Sequence, residues 1–249
     1  MNQRVDTKLS VNLNKVALLR NQRDVGYPSV TGAARLVIEA GAHGITVHPR
    51  PDERHIRRSD VFDLADVLAS EHGSGIELNI EGNPTDELLQ LVFEVLPTQV
   101  TLVPDSPEQR TSDHGWDFGR YRGFLQPIVG QLRQAGIRVS VFVDPDVDAV
   151  RGAAAVEADR IELYTEPYAA AHTAGEYADV LAEYARCADE AVRRGLGVNA
   201  GHDLNLENLP EFRAAIPLLA EVSIGHAITA DALEMGFPAA VRAYLDALR

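Results

Sequence analysis

His48, Glu81, Glu162 and His202 can take or give a proton close to neutral pH, and each falls at or near the end of a short run of apolar and β-branched residues. Asn12, Pro104-Asp105, Asp144 and His226 close four further runs in the same way. A carboxylate or imidazole at the end of a buried strand is costly unless paired, so polar groups at all these run ends point to one shared site. The chemistry open to such a set is general acid–base catalysis, with a carboxylate and imidazoles acting in turn as proton acceptor and donor.

Anion-binding groups lie beside these residues. Arg50, Arg54 and His55 share the segment after His48, and two guanidiniums with an imidazole hold a phosphate through charge-assisted bonds. Arg20 and Arg23, after the first run, are placed to reach the same mouth. The turns Asn199-Ala-Gly-His-Asp203 and Ser223-Ile-Gly-His-Ala227 leave backbone N–H groups open just before a helix, a second phosphate corner. Ten of the 23 Lys and Arg residues fall in residues 1–58, Arg4 among them, against five Asp and Glu, so a cationic patch sits on an otherwise acidic chain. Two such corners suit a ligand or ligand pair with two phosphates. Lys8 and Lys15 are the only lysines, and neither is at a late strand end, so a barrel aldolase with a central imine-forming lysine is hard to build.

Positioning residues so far apart requires a regular scaffold. The apolar runs predict strands over Leu9–Asn12, Gly44–His48, Ile76–Glu81, Gln99–Val103, Arg138–Val143, Arg160–Tyr164, Gly197–Ala200 and Val222–Gly225, buried between barrel interior and helices and apolar for much of their length. Helical spacing falls between them, at Thr31–Glu39, Val61–Ala69, Thr85–Leu96, Phe124–Gln134, Val147–Val156, Glu176–Arg194, Leu209–Leu219 and Ala230–Leu248. Regular alternation implies parallel strands joined by right-handed crossovers. Eight units in this length predict a (β/α)₈ TIM barrel, a single domain over residues 1–249 with extra short helices in the βα loops. A doubly wound sheet normally uses fewer strands, and no Gly-x-Gly-x-x-Gly or Gly-x-x-x-x-Gly-Lys follows any of them.

Composition fits this picture. The chain has 249 residues, 45% hydrophobic and 24% charged, with a formal net charge of −14, which argues against nucleic-acid or anionic-membrane partners. No apolar run is long enough to cross a bilayer and the start lacks an apolar signal segment, so a cytoplasmic location is expected. The one cysteine, Cys187, excludes an internal disulfide and falls on an apolar helical face, where packing is expected. His43, His72, His114 and His172 fall in predicted helix ends or loops, where solvated surface is the default. The segment Pro104–Arg120 is a candidate lid.

The segments Val11-Asn-Leu-Asn-Lys-Val-Ala-Leu-Leu-Arg-Asn-Gln-Arg23, Gly44-Ile-Thr-Val-His-Pro-Arg-Pro-Asp-Glu-Arg-His-Ile56, Asn79-Ile-Glu81, Val198-Asn-Ala-Gly-His202 and Ile224-Gly-His226 resemble the pyridoxine 5′-phosphate synthase family of vitamin B6 biosynthesis. The resemblance runs from about Leu9 to the C-terminal helix. It implies condensation of 3-amino-2-oxopropyl phosphate with 1-deoxy-D-xylulose 5-phosphate to pyridoxine 5′-phosphate, phosphate and water, by a cytoplasmic transferase that needs no organic cofactor or metal and assembles as a homo-octamer built from dimers. By the same resemblance His48 and Glu81 are proton acceptors, His202 is the proton donor and Glu162 stabilises the transition state. Asn12, Arg23, Asp203, Gly225 and His226 match positions that hold the aminoketone phosphate. Arg50, His55 and Thr111 match those that hold the deoxyxylulose phosphate, with Asn14 and Lys15 at two further contacts.

Three positions depart from the usual family pattern. Asn14-Lys15 stands where Asp-His is common, and Asp24 and Asp203 where glycine is usual. An acidic side chain at 203 costs phosphate affinity unless it turns away or pairs with a cation. Two other functions are compatible with the residues: a metal-dependent barrel hydrolase or isomerase using His48, Glu81, His202 and His226 as ligands, and a non-catalytic barrel that binds a sugar phosphate.

Overall fold

The computed structural model describes residues 5–23, 25–70, 75–106, 109 and 111–249. Arg4, Asp24 and His72 lie outside the described residues, as do positions 107, 108 and 110 of the candidate lid. Eight strands, β1 (Lys8–Asn12), β2 (Gly44–Val47), β3 (Glu77–Gly82), β4 (Gln99–Leu102), β5 (Arg138–Val143), β6 (Arg160–Tyr164), β7 (Gly197–Gly201) and β8 (Leu219–Ile224), are each parallel to the next. β8 pairs back with β1, Val222 opposite Leu9 and Ile224 opposite Val11, so the sheet closes into a barrel. The predicted (β/α)₈ architecture is what the chain adopts.

The strands are bounded much as their patterns foretell, and the helices depart where turn chemistry intervenes. The outer layer consists of α2 (Val30–Glu39), α3 (Arg58–Ala69), α4 (Asp86–Val95), α5 (Phe118–Gln134), α6 (Val147–Ala155), α8 (Ala178–Arg193), α9 (Leu209–Ala215) and α11 (Phe237–Ala247). Helix α9 stops at Ala215, short of the expected Leu219, because Pro217 disfavours helical geometry at the residue before it. β8 therefore begins at Leu219. The C-terminal stretch is two helices, α10 (His226–Met235) and α11, divided by Gly236 at φ +80° with proline at the start of the second. Helix α5 begins at Phe118, not Phe124, where the Asp117 side chain accepts the Arg120 N–H, so the end of the candidate lid is helical. The extra short helices in the βα loops are α1 (Asn14–Asn21), α7 (Glu166–Ala174) and α10.

Alternation along the strands separates two environments. Leu9, Val11, Ile45, Val47, Leu78, Ile80, Val139, Val141, Ile161, Leu163, Val222 and Ile224 are buried in the main apolar cluster with the helix faces. Cys187 is buried in this cluster as well, and burial pushes its thiol up to about 12.

The alternate positions qualify the expectation of strands apolar for much of their length, because the inward-facing ones are largely polar. Inside the ring, Thr101 Oγ1 of β4 lies 3.1 Å from Asn79 Oδ1 and 3.3 Å from Glu162 Oε2. Gln99 Nε2 reaches Glu221 Oε1 across the barrel at 3.4 Å, and Arg160 Nη1 donates to Asn199 and Glu221 at 3.0 and 3.2 Å. Arg138 pairs with Glu77 at the N-terminal end, where Lys8 also meets Glu77. The lumen is thus a hydrogen-bonded polar network, where barrels of this type commonly fill with branched aliphatic side chains. A small apolar group of Val103, Phe142 and Tyr164 lies apart from the main core, towards the C-terminal ends of β4 to β6.

Close packing at the end of β7 depends on the absence of a side chain. A Cβ on Gly201 would lie 2.7 Å from the Ser223 carbonyl oxygen and 2.9 Å from Glu162 Oε1. Gly201→Ala is expected to destabilise the barrel by about 1–3 kcal/mol, read as a lower urea midpoint at unchanged slope.

Candidate active site at the barrel mouth

The C-terminal ends of the strands open onto one cavity of about 700 Å³. His48, the first residue after β2, and Glu81 of β3 line it from one side; Glu162 of β6 and His202, just after β7, line it from another. The four candidate proton-transfer residues, spread over 154 positions between His48 and His202, therefore share one pocket. Asn12, Asn14 and Lys15 join them from the end of β1 and the start of α1, and Gly225 and His226 from the start of α10. Arg50, Arg54, His55, Thr111 and Asp203 complete the predicted set.

Not every expected residue arrives there. Arg23 is exposed and does not line the cavity. Arg20, expected to reach the mouth, is buried instead: it pairs with Asp60 of α3 and donates to the His55 carbonyl at 3.1 Å. It anchors the β2–α3 loop that carries Arg50 and His55. Asp144 accepts the Gly115 N–H at 2.9 Å and so ties down the segment before α5. Phe142, Val103, Leu18, Ser112 and Ser223 also line the cavity. For Phe142 the sequence signal was the strand alternation that puts it on the side of Ser140, opposite Glu162, whereas Leu18 in α1 and Ser112 in the loop before α5 carry no such signal.

Asp105, expected at the shared rim, does not itself line the cavity but binds a residue that does. Its carboxylate pairs with Arg50 and accepts the Ser112 hydroxyl at 2.9 Å, while the guanidiniums of Arg50 and Arg54 both donate to the Gln109 carbonyl at 2.8 Å. The β4–α5 segment is thereby tied to the arginine-bearing loop. Burial raises Asp105 above the usual carboxylate range, against the pull of Ser112 and Arg50, and its second oxygen is buried without a partner among the described residues.

A family described as "Pyridoxal phosphate biosynthesis protein PdxJ" matches residues 9–249. The chain belongs to this family. A pyridoxine 5′-phosphate synthase of Albidiferax ferrireducens is 58% identical over 244 residues, covering 96% of both chains, and one of Brucella abortus is 54% identical over 245 residues, covering 97% of this chain and 98% of that one. Among solved structures, tryptophan synthase from M. tuberculosis overlays with a TM-score of 0.65 at 12% identity, covering 100% of this chain and 95% of that one. Phosphoribosylanthranilate isomerase from Thermotoga maritima overlays at 0.58 with 14% identity, covering 97% and 98%. These two likenesses concern the fold alone.

Two departures from the usual pattern of the PdxJ family have a structural account. Asn14 Oδ1 accepts the His48 N–H at 2.9 Å, and the Asn14 N–H donates to Asn12 Oδ1 at 2.9 Å, so asparagine at 14 pins the His48 backbone to the end of β1. The Asp203 carboxylate faces His202, with Oδ2 2.5 Å from Nδ1, so it is turned to an imidazole while remaining partly exposed. Among the described residues no three His, Cys, Asp or Glu side chains are grouped so as to hold a metal ion, so His48, Glu81, His202 and His226 line one cavity without forming a ligand set.

Burial sets the protonation states. Desolvation pushes Glu81 up to about 7, with the nearby Asp105 and Glu221 adding to the effect and His202 opposing it. Glu162 is raised well above the ordinary range by burial and then by Glu81 and Glu221. His48 is held well below its usual value by burial and by Arg50, and lies 4.0 Å from Glu81 through Nδ1. His55, lowered to about 4 by burial and Arg50, accepts the Ile56 N–H on Nδ1 at 2.9 Å, which leaves Nε2 as the protonated nitrogen. The pocket therefore contains two neutral imidazoles and two carboxyl groups that resist ionisation.

The raised carboxyl of Glu81 links stability to pH. The unfolded chain releases this proton near 4.5 and the folded one near 7, so between these values the folded state binds more protons and stability falls as pH rises. Glu81→Gln should remove that loss, making the variant more stable than the parent at pH 8 by on the order of 2–3 kcal/mol and little different at pH 4, as measured by chemical denaturation.

Proposed function

We propose that the chain is a pyridoxine 5′-phosphate synthase, joining 3-amino-2-oxopropyl phosphate to 1-deoxy-D-xylulose 5-phosphate with release of phosphate and water. The observation that carries this reading is the convergence of His48, Glu81, Glu162 and His202 on one cavity that also holds Arg50 and His55 on one flank and the N-terminus of α10 on another, in a member of the PdxJ family.

The proposed chemistry is a series of proton transfers. The aminoketone's amine attacks the sugar ketone and water leaves; a proton is then removed to give an enamine, phosphate is expelled from the sugar portion, and an aldol-type closure with net loss of a second water gives the aromatic ring. Glu81, held near 7, is suited to accept a proton in one step and return it in another. His48, kept neutral, is an acceptor from the start, and His202 is assigned the donor role. Burial and the neighbouring Glu81 and Glu221 shift Glu162 toward the protonated form, in which it can donate a hydrogen bond to charge developing on substrate oxygen.

Two anchors supply proximity. Arg50, His55, Thr111 and Ser112 face the sugar phosphate, with Asn14 and Lys15 as further contacts. Asn12, Gly225 and His226 face the aminoketone phosphate, where the first-turn N–H groups of α10 favour an anion. A Cβ on Gly225 would press on the Asn12 side chain at 3.1 Å, so glycine lets the backbone approach the ligand closely. Arg23 enters this assignment by resemblance alone. The same resemblance supports a cytoplasmic transferase assembled as a homo-octamer built from dimers; in the fold, no described helix is long and apolar enough to cross a membrane.

Mixing both phosphorylated substrates with the purified chain should yield pyridoxine 5′-phosphate by absorbance, with phosphate release in step. Glu81→Gln and His48→Asn are expected to lose about 10²-fold or more in kcat while retaining substrate binding. Arg50→Ala should chiefly weaken the sugar phosphate in calorimetry. Unchanged rates in both acid–base variants would remove this mechanism.

A further inference from the structure

Asp203 lines the mouth at a position that by resemblance holds the aminoketone phosphate, yet its carboxylate is turned to the neighbouring imidazole. Its Oδ2 lies 2.5 Å from His202 Nδ1, and the other ring nitrogen, Nε2, lies 2.8 Å from the Thr111 hydroxyl. A carboxylate can only accept, so Nδ1 carries the ring proton and Nε2 is the exchangeable nitrogen. The ring is also fixed laterally, because Tyr164 meets its face edge-on with centroids 5.3 Å apart at 79°. His202 sits at φ +83°, a left-handed conformation that a histidine adopts only when its surroundings impose it.

The turn itself does not need the carboxylate. The Thr165 hydroxyl donates to the Gly201 carbonyl and accepts the Asp203 N–H at 3.3 Å, and the Asp203 carbonyl accepts from Asn208 Nδ2 at 3.2 Å. Backbone bonds on both sides of residue 203 therefore hold the loop, and its N–H is spent on Thr165. What remains for the side chain is the imidazole.

We propose that Asp203 is a positioning residue for His202, holding the Nδ1–H tautomer and the ring orientation so that Nε2 is the atom that exchanges protons with substrate. This rests on the proton-donor role of His202 given above. When Nε2 takes a proton, the imidazolium charge is matched by the Asp203 carboxylate; when Nε2 gives it to a leaving oxygen, the ring returns to the Nδ1–H form. The Nδ1 proton stays on the ring throughout, and Asp203 is not itself protonated. Thr111 holds Nε2 from the opposite side, and Glu81 is close enough for a charged His202 to favour its carboxylate, so the groups facing the ring are Asp203, Thr111, Tyr164 and Glu81.

The test uses the whole chain with ¹⁵N-labelled histidine, the His202 ring assigned by its disappearance in His202→Gln. In the parent, at a pH where the ring is neutral, Nδ1 should show a protonated, pyrrole-type shift and Nε2 a pyridine-type one. Asp203→Ala should give mixed tautomers and lower kcat by about tenfold or more with KM for both substrates little changed. Asp203→Asn, whose amide oxygen still accepts from Nδ1, should keep the tautomer and more of the turnover. A parent spectrum with the proton on Nε2, an unchanged kcat in Asp203→Ala, or a loss confined to KM for the aminoketone phosphate would each overturn the positioning role. Full turnover in His202→Gln would instead overturn the donor assignment, which the ring spectra of the parent do not depend on.

Discussion

Pairing of β1 with β8 joins the two ends of the chain, with Thr7 donating to the Leu219 carbonyl 212 positions away, and this closure makes a single rim out of eight strand ends. Without it the sheet would have two open edges and Asn12 would no longer stand beside Gly225 and Glu81. The ring is unusual inside. Its inward residues hydrogen-bond across the lumen, so the barrel is held together by apolar packing outside and by a polar network within. Such a network is stabilising only when nearly every member is satisfied, and among the described residues Ser140 Oγ is the one lumen side-chain atom left without a partner.

That network also explains the chemistry of the mouth. Glu81 and Glu162 sit at the top of a buried column that already contains Glu221, and the combination of desolvation and neighbouring carboxylates holds both above the ordinary range. The opposite flank is cationic, and burial together with Arg50 keeps His48 neutral. One cavity thus separates carboxyls that favour the neutral form from imidazoles that do the same, so that proton transfers between them need little charge separation. Arg50 is balanced by Asp105, so a phosphate arriving there meets a guanidinium already oriented and already paired.

Much of this was legible before any coordinates. Gly44 to His48 and Arg160 to Tyr164 are short β-branched or alternating runs followed by turns, and repetition along the chain implied parallel strands and hence a rim of strand ends. Of the residues placed at that rim, Asn12, His48, Glu81, Glu162, His202 and His226 line the cavity, whereas Asp105 and Asp144 stand behind it and bind neighbouring loops. Arg20 does not line it either, because a buried ion pair with Asp60 is invisible in a local pattern: both residues are 40 positions apart and neither spacing nor charge reveals the partner. The break at Gly236 and Pro238 was written in the residues themselves, but helical periodicity on either side masked it.

The amino-acid order by itself determined the alternation of strand and helix, the absence of a lysine suited to imine chemistry, and which side chains stand at strand ends, since these follow from local spacing and residue type. Tertiary structure alone decided that the strands' polar positions face a shared lumen, that Asp105 neutralises Arg50, and that Asp203 turns to His202. The reason is that protonation and pairing depend on burial and on neighbours brought from distant segments, and both exist only after the ring has closed.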